Sequence, residues 1–180
     1  MKKIVVSAIG KDRPGIVAGV TETLFQAGCN LEDSAMTILE GEFAILLICS
    51  KPAIMPMKEF QSRMARLAKK MELLLHVKEM EVARGKASSA ARTAIVTASG
   101  ADQTGILYRL SSVLAKLKAN ITDLTSRQIP SPKKTALYVV MIEVTLPSGL
   151  DLENLRKELD RVARPMHLDL SVREISVEQL

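Results

Sequence analysis

Two short clusters hold the residues best placed to do chemistry. Asp12-Arg13-Pro14-Gly15-Ile16 sets a carboxylate, a guanidinium and a glycine within five positions. Ala27-Gly28-Cys29-Asn30-Leu31 adds a side-chain amide shortly after. A looser copy lies near the middle of the chain, as Asp102-Gln103-Thr104-Gly105-Ile106 and then Asn120. An amphipathic stretch follows each glycine, so Gly15 and Ile16 fall at a helix N-terminus. There, free N–H groups point outward and the helix dipole favours negative charge. Gly15 lacks a Cβ, which lets a ligand carboxylate approach the backbone. An ammonium on the same ligand needs acceptors, and Asp12, the Asn30 amide or nearby carbonyls supply them. The set suits a free amino acid. It equally suits a structural role in which Asp12 caps the helix, Gly15 eases the turn and Asn30 starts a strand. Repetition does not decide between the two, because both copies need the same turn.

Other chemistries find less support. Cys29 and Cys49 lack metal-like spacing and read as buried thiols rather than a disulfide or redox pair. His76 and His167 each fall just before the last strand of a unit and read as loop-end residues. The acidic residues form no cluster that spacing assigns to acid–base work. No catalytic residue, metal site or cofactor is expected, and no enzyme activity.

The elements that must position these residues come in two sets. With Gly105 laid under Gly15, an offset of 90, Val6 meets Val96, Gly10 meets Gly100, Asp12 meets Asp102, Leu24 meets Leu114, Asn30 meets Asn120 and Asp33 meets Asp123. These matches hold one register without a gap, which points to two copies of one supersecondary unit.

In the first copy, residues 3–9 form an apolar strand. Asp12 and Pro14 signal a helix start. Ile16, Val17, Val20, Leu24 and Ala27 share one helical face, and Gly28 ends that helix. A strand over 30–39, a tight hairpin at Glu40-Gly41-Glu42 and a strand over 43–49 follow. Met57, Phe60, Met64, Leu67, Met71 and Leu74 then mark a second helix. Its methionines suit either core packing or an adaptable groove, and packing is the favoured reading. Residues 77–83 make the last strand.

The second copy repeats this order. Strands are expected over 93–99, 121–129 and 135–146, with a longer hairpin at Pro130-Ser131-Pro132-Lys133-Lys134. Leu152, Leu155, Leu159 and Val162 mark its last helix, Arg164-Pro165 stops it, and a final strand alternates from Leu168 to Arg173. The order β-α-β-β-α-β is the ferredoxin-like arrangement, an antiparallel four-stranded sheet with both helices on one face. The predicted fold class is α+β, with domains over 1–83 and 93–180. A joint rich in Gly, Ser and Ala covers 84–92.

Composition narrows the partners. The chain has 180 residues, 47% hydrophobic and 3% aromatic, with no Trp. No apolar run approaches the roughly 18 residues of a membrane span, and the N-terminus does not read as a signal peptide, so a cytoplasmic protein without membrane contact is expected. The net charge of +5 invites a nucleic-acid reading. However, residues 1–83 and 93–180 each hold eleven basic and ten acidic residues, so the surplus lies in the joint at Arg84, Lys86 and Arg92. That distribution disfavours direct nucleic-acid binding. Neither first turn carries the Cys-x-x-Cys of a copper chaperone. Phe43 and Tyr138 are the only aromatics on the central strands, too few for an RNA-recognition sheet. Neither copy reads as a helix-turn-helix.

The motif Asp12-Arg13-Pro14-Gly15-Ile16, with Ala27-Gly28-Cys29-Asn30-Leu31 and Asp33-Ser34, resembles the ACT domains, small regulatory modules that bind amino acids. Its form is similar to that of glycine cleavage repressors and of the N-terminal domain of formyltetrahydrofolate deformylases. The resemblance covers nearly the whole chain and is strongest over 4–50. It implies a ligand site where the first turn of one domain meets the start of the second strand in a neighbouring domain. Carried over, that implicates Asp12, Arg13, Pro14, Gly15, Ile16 and Asn30, then Asp102, Gly105, Ile106 and Asn120. Gln103-Thr104 departs from the Arg-Pro of the pattern, which puts the second site in doubt. The resemblance further implies an amino-acid sensor for a small ligand such as glycine or serine. It would act in transcription through a protein partner such as a DNA-binding transcription factor. A deformylase would need a hydrolase domain, and the second unit takes its place here. The alternatives are a ligand-independent interaction or oligomerisation module, with pairing of edges or helices into a homodimer, and a direct nucleic-acid binder using the joint and Lys133-Lys134.

Overall fold

A computed structural model of the chain describes residues 2–80, 92–130 and 135–175. The chain divides into two compact units, Met1–Gly85 and Lys86–Leu180. The joint over 84–91, residues 81–83 of the expected fourth strand and residues 131–134 of the long hairpin lie outside the described residues.

The first unit runs β1 (Lys2–Lys11), α1 (Ile16–Gln26), β2 (Asn30–Leu39), β3 (Glu42–Lys51), α2 (Met57–Lys70) and β4 (Leu74–Glu79). The second runs β5 (Thr93–Ala101), α3 (Ile106–Lys116), β6 (Asn120–Ile129), β7 (Leu137–Thr145), α4 (Leu152–Ala163), a 3-10 turn at Arg164–Met166 and β8 (Asp169–Ile175). The sheets order as β2-β3-β1-β4 and β6-β7-β5-β8, with every pairing antiparallel. These are two ferredoxin-like units.

Alternation along β1 explains its place at the centre. Ile4, Val6 and Ala8 are fully buried and meet Cys49, Leu47 and Ile45 across the ladder to β3. Against that face, α1 sets Ile16, Val20 and Leu24, and α2 sets Phe60 and Met64. The second core repeats the scheme with Ala94, Val96 and Ala98 of β5, Val140, Ile142 and Val144 of β7, and Ile106, Leu110, Leu114, Leu155 and Leu159 from the helices. A helix buries its i, i+3, i+4 stripe and a strand every second side chain, and both periods are visible here.

Turn chemistry sets the boundaries. Glu40 and Gly41 both have positive φ, 50° and 82°, as a two-residue type I′ hairpin requires. Gly28, at φ 68°, follows the end of α1, and the amides of Gly28 and Cys29 donate to the carbonyls of Phe25 and Leu24 at 2.8 and 3.0 Å. That is a Schellman motif. At its end, α2 closes earlier than the apolar spacing suggests. Glu72 turns left-handed at φ 49°, and the Leu73 amide donates to Ala68 O at 2.9 Å. Leu74 therefore belongs to β4, not to the helix, and is exposed. His76 lies inside β4 opposite Ser7, not at a loop end, whereas His167 does precede β8. Val17 is exposed, because the buried stripe of α1 passes through Ile16 and Val20 and leaves Val17 to one side.

Arg92 belongs to the fabric of the second unit. Its guanidinium holds Glu174 through two bonds of 2.5 and 3.1 Å, and its carbonyl accepts from the Leu146 amide at 2.8 Å. One of the three surplus cations is thus neutralised in a folded domain.

Candidate functional site

The turn after β1 is built for exposure. Gly15 precedes α1 with φ 95°, a conformation that costs any residue with a Cβ. A Cβ built there would meet nothing within 4 Å, so the glycine answers to its dihedral and leaves open space above the helix start. No side chain caps α1. Asp12 is not an N-cap. Its amide instead donates to Gly41 O at 2.8 Å, tying the turn to the hairpin, and among the described residues nothing bonds its carboxylate. Pro14 precedes the N-cap, two positions earlier than a helix-opening proline. Arg13 and Pro14 are exposed, and Ile16 is buried in the core, so only its backbone can face a ligand.

The second turn has the same backbone and a more occupied surface. Gly105 has φ 92°, and the Asp102 amide donates to Ala136 O at 2.8 Å. Here, though, Gln128 Nε2 donates to the Asp102 carboxylate at 2.7 Å and Gln103 Nε2 to Met166 O at 2.8 Å. Gln103, which replaces Arg13, thus ties its turn to the 3-10 turn that follows α4. Ile106 is buried as Ile16 is.

Asn30 does not join Asp12 and Gly15 within the unit. Asn30 opens β2 opposite Ser50, and Ser50 lies opposite Lys3 at the start of β1. The turn leaves the other end of β1, past Lys11 opposite Glu42. Eight strand residues separate the two ends, about 26 Å at the usual rise. Asn120, opposite Thr145 and so level with Thr93, stands equally far from Gly105. The structure brings Asp12, Arg13, Pro14 and Gly15 together at one end of the sheet and leaves Asn30 alone at the other.

Two features escape a reading by motif. A β-bulge falls between Leu31 and Asp33, and another between Ile121 and Asp123. The first releases Glu32 to pair with Lys3 at 2.6 Å, and the hydrogen bond from Lys3 holds the Glu32 carboxyl below its ordinary range. Beside it, burial pushes the Cys49 thiol up to about 11, and burial also raises Cys29 despite the nearby Lys51 cation. Lys51 is itself buried, with Nζ donating to the carbonyls of Pro52, at 3.1 Å, and Met55. The other feature is a row of cations on α2, Arg63, Arg66 and Lys70, which lines the groove beside Arg13, Pro14 and Gly15. Their three- and four-residue spacing was readable beside the apolar stripe. Among the described residues no three His, Cys, Asp or Glu side chains stand close enough to hold a metal ion. No helix there is long and apolar enough to cross a membrane.

Comparison with known proteins agrees with this geometry. The ACT domain family model matches twice, over residues 2–83 and 92–173. The glycine cleavage system transcriptional repressor of Escherichia coli K12 is 25% identical over 98% of this chain and 92% of its own length. A solved protein of unknown function from Galdieria sulphuraria superposes with a TM-score of 0.83 at 28% identity, covering 97% of this chain and 99% of its own. Another, proposed to be a glycine cleavage system transcriptional repressor, superposes with a TM-score of 0.66 at 23% identity over 97% and 98% of the two chains. With two complete domains matched in sequence and two complete ferredoxin-like units in the structure, this chain belongs to the ACT-domain family.

Proposed function

We propose that this protein is an amino-acid-responsive regulator of the glycine cleavage repressor type. It binds a small amino acid, glycine or serine, and passes the signal to a protein partner such as a DNA-binding transcription factor. The observation that carries this reading is the open, uncapped turn at Asp12–Gly15. Its glycine is held left-handed with free space above it, on a chain similar to the repressor over nearly its whole length. The α1 N–H groups and the dipole receive the ligand carboxylate. Asp12 offers an acceptor for the ammonium, and the start of β2 or β6 in a neighbouring unit offers Asn30 or Asn120. The Asp102 turn, already bonded by Gln128, is the weaker half-site. A ligand held between units favours one arrangement of them and shifts the equilibrium by its difference in affinity.

Titration calorimetry with glycine and serine tests the reading. Saturable heat is expected from the intact protein and a loss of at least roughly tenfold in affinity from Asp12→Ala, about 1.4 kcal/mol. Binding unchanged in Asp12→Ala and in Asn30→Ala would remove the proposed site.

A further inference from the structure

We propose that the groove between α1 and α2 of the first unit docks an acidic helical segment of a partner protein. The inference rests on the reading that this chain acts through such a partner. The groove encloses about 1090 Å³ and lies wholly within the first unit. Gly15 and Ala18 lie on its lining, and a Cβ on Gly15 would meet nothing within 4 Å, whereas Gly19 is already covered by Met71 of α2, whose Sδ would stand 2.7 Å from a Cβ there. The groove follows the eleven residues of α1, about 17 Å of helix, a length suited to a helical segment rather than a small ion.

Its charge is uneven along that length. Arg63 bonds Glu59 at 2.7 Å and reaches Gln26 O at 3.5 Å, which closes the far end. At the near end Arg13, Arg66 and Lys70 line the wall, and among the described residues none has a carboxylate within salt-bridge distance. Glu22 is the one acid left on the lining without a cationic partner. The positive end of α1 adds to the same side. The second unit carries larger side chains along the matching helix. In the 90-residue register Tyr108 and Arg109 replace Ala18 and Gly19, and Arg109 Nε stands 4.0 Å from where a Cβ on Gly105 would be.

The test uses the full chain and a fluorescein-labelled peptide of roughly 20 residues built from Glu, Ala and Leu, long enough to be helical. A matched peptide carries Gln in place of Glu. Fluorescence anisotropy is expected to show binding of the Glu peptide at least about tenfold tighter than the Gln peptide, weakening with salt. Arg66→Glu with Lys70→Glu, both on the exposed side of α2, should abolish it. Arg156→Glu with Lys157→Glu on α4, an equal charge change, should leave it within about twofold. Ala18→Tyr, copying the second unit at an exposed position, should block the groove. Its folding is checked by circular dichroism, and the α2 double variant decides if it fails. Equal loss from the α2 and α4 variants, no binding of the Glu peptide, or α2-dependent binding of a single-stranded DNA oligonucleotide in its place would each overturn the proposal. Glycine titrations of the same proteins separate the two readings. Peptide binding without a glycine response overturns sensing alone, and a glycine response without peptide binding overturns docking alone.

Discussion

Lys118 sits left-handed at φ 56°, where the first unit has Gly28 at φ 68°. Both close their helices the same way, for the amides of Lys118 and Ala119 donate to Ala115 O and Leu114 O at 3.0 and 2.9 Å. A side chain with a Cβ pays for that conformation, so Lys118→Gly should raise stability by about 0.5–1 kcal/mol, read from urea midpoints. A fall instead would mean that the lysine stem packs usefully on α3. Cys49 sets a different test. Burial raises its thiol from 9.0 to about 11, with Cys29 and Glu32 adding to the rise. A raised acid favours the neutral thiol in the fold. Its contribution is therefore complete below about pH 9 and is lost as the pH climbs toward 11. Stability should fall across that window, and Cys49→Ala should flatten the fall. A profile equally steep in Cys49→Ala would assign the loss to other groups.

Among the elements, a glycine in each unit lets the central strand approach the turn before the last strand closely. A Cβ on Gly10 would stand 2.7 Å from Leu73 Cδ2 and 3.2 Å from Glu72 O, and one on Gly100 2.7 Å from Leu168 Cδ2 and 3.1 Å from His167 O. These contacts seat the central strand against the turn that feeds the last strand. Gly10→Ala should cost about 1–3 kcal/mol in thermal or urea unfolding, as overpacking does. An unchanged midpoint would show that the turn yields freely. The pairing of Gly10 with Gly100 was visible in sequence, but its cause was not, because the crowding atoms come from more than sixty positions away. The strands and helices were legible, since their periods of 2 and 3.6 are local. The end of α2 was misjudged for a physical reason. Leu74 continues the apolar spacing, yet the left-handed Glu72 breaks the helix before it, and a glutamate gives no sign of that turn. Asp12 misled in the same way. It is a good capping residue by type, but Gly15 is the cap, and the Asp12 amide is spent on the hairpin.

At the scale of the molecule, the repeat and the amino-acid motif were legible as a pattern, and the separation of its parts was not. Asp12 and Asn30 are eighteen positions apart, in two clusters whose residue types suit one ligand, and only the family resemblance drew them from neighbouring domains. The sheet register sends them to opposite ends of the unit, because α1 carries the chain back before β2 begins. Within one unit, therefore, no single small ligand reaches both. The measurement that tests amino-acid sensing most directly is a thermal-unfolding screen of the full chain against free amino acids, repeated on Asn30→Ala and Asn120→Ala. A ligand at about 100 times its dissociation constant adds roughly 2.7 kcal/mol, a rise of several degrees in a protein of this size. The expected result is a selective rise with glycine or serine that at least one of the two asparagine variants abolishes while remaining folded. A flat response to every amino acid from the folded protein would contradict it and leave two ACT units that serve as an interaction module alone.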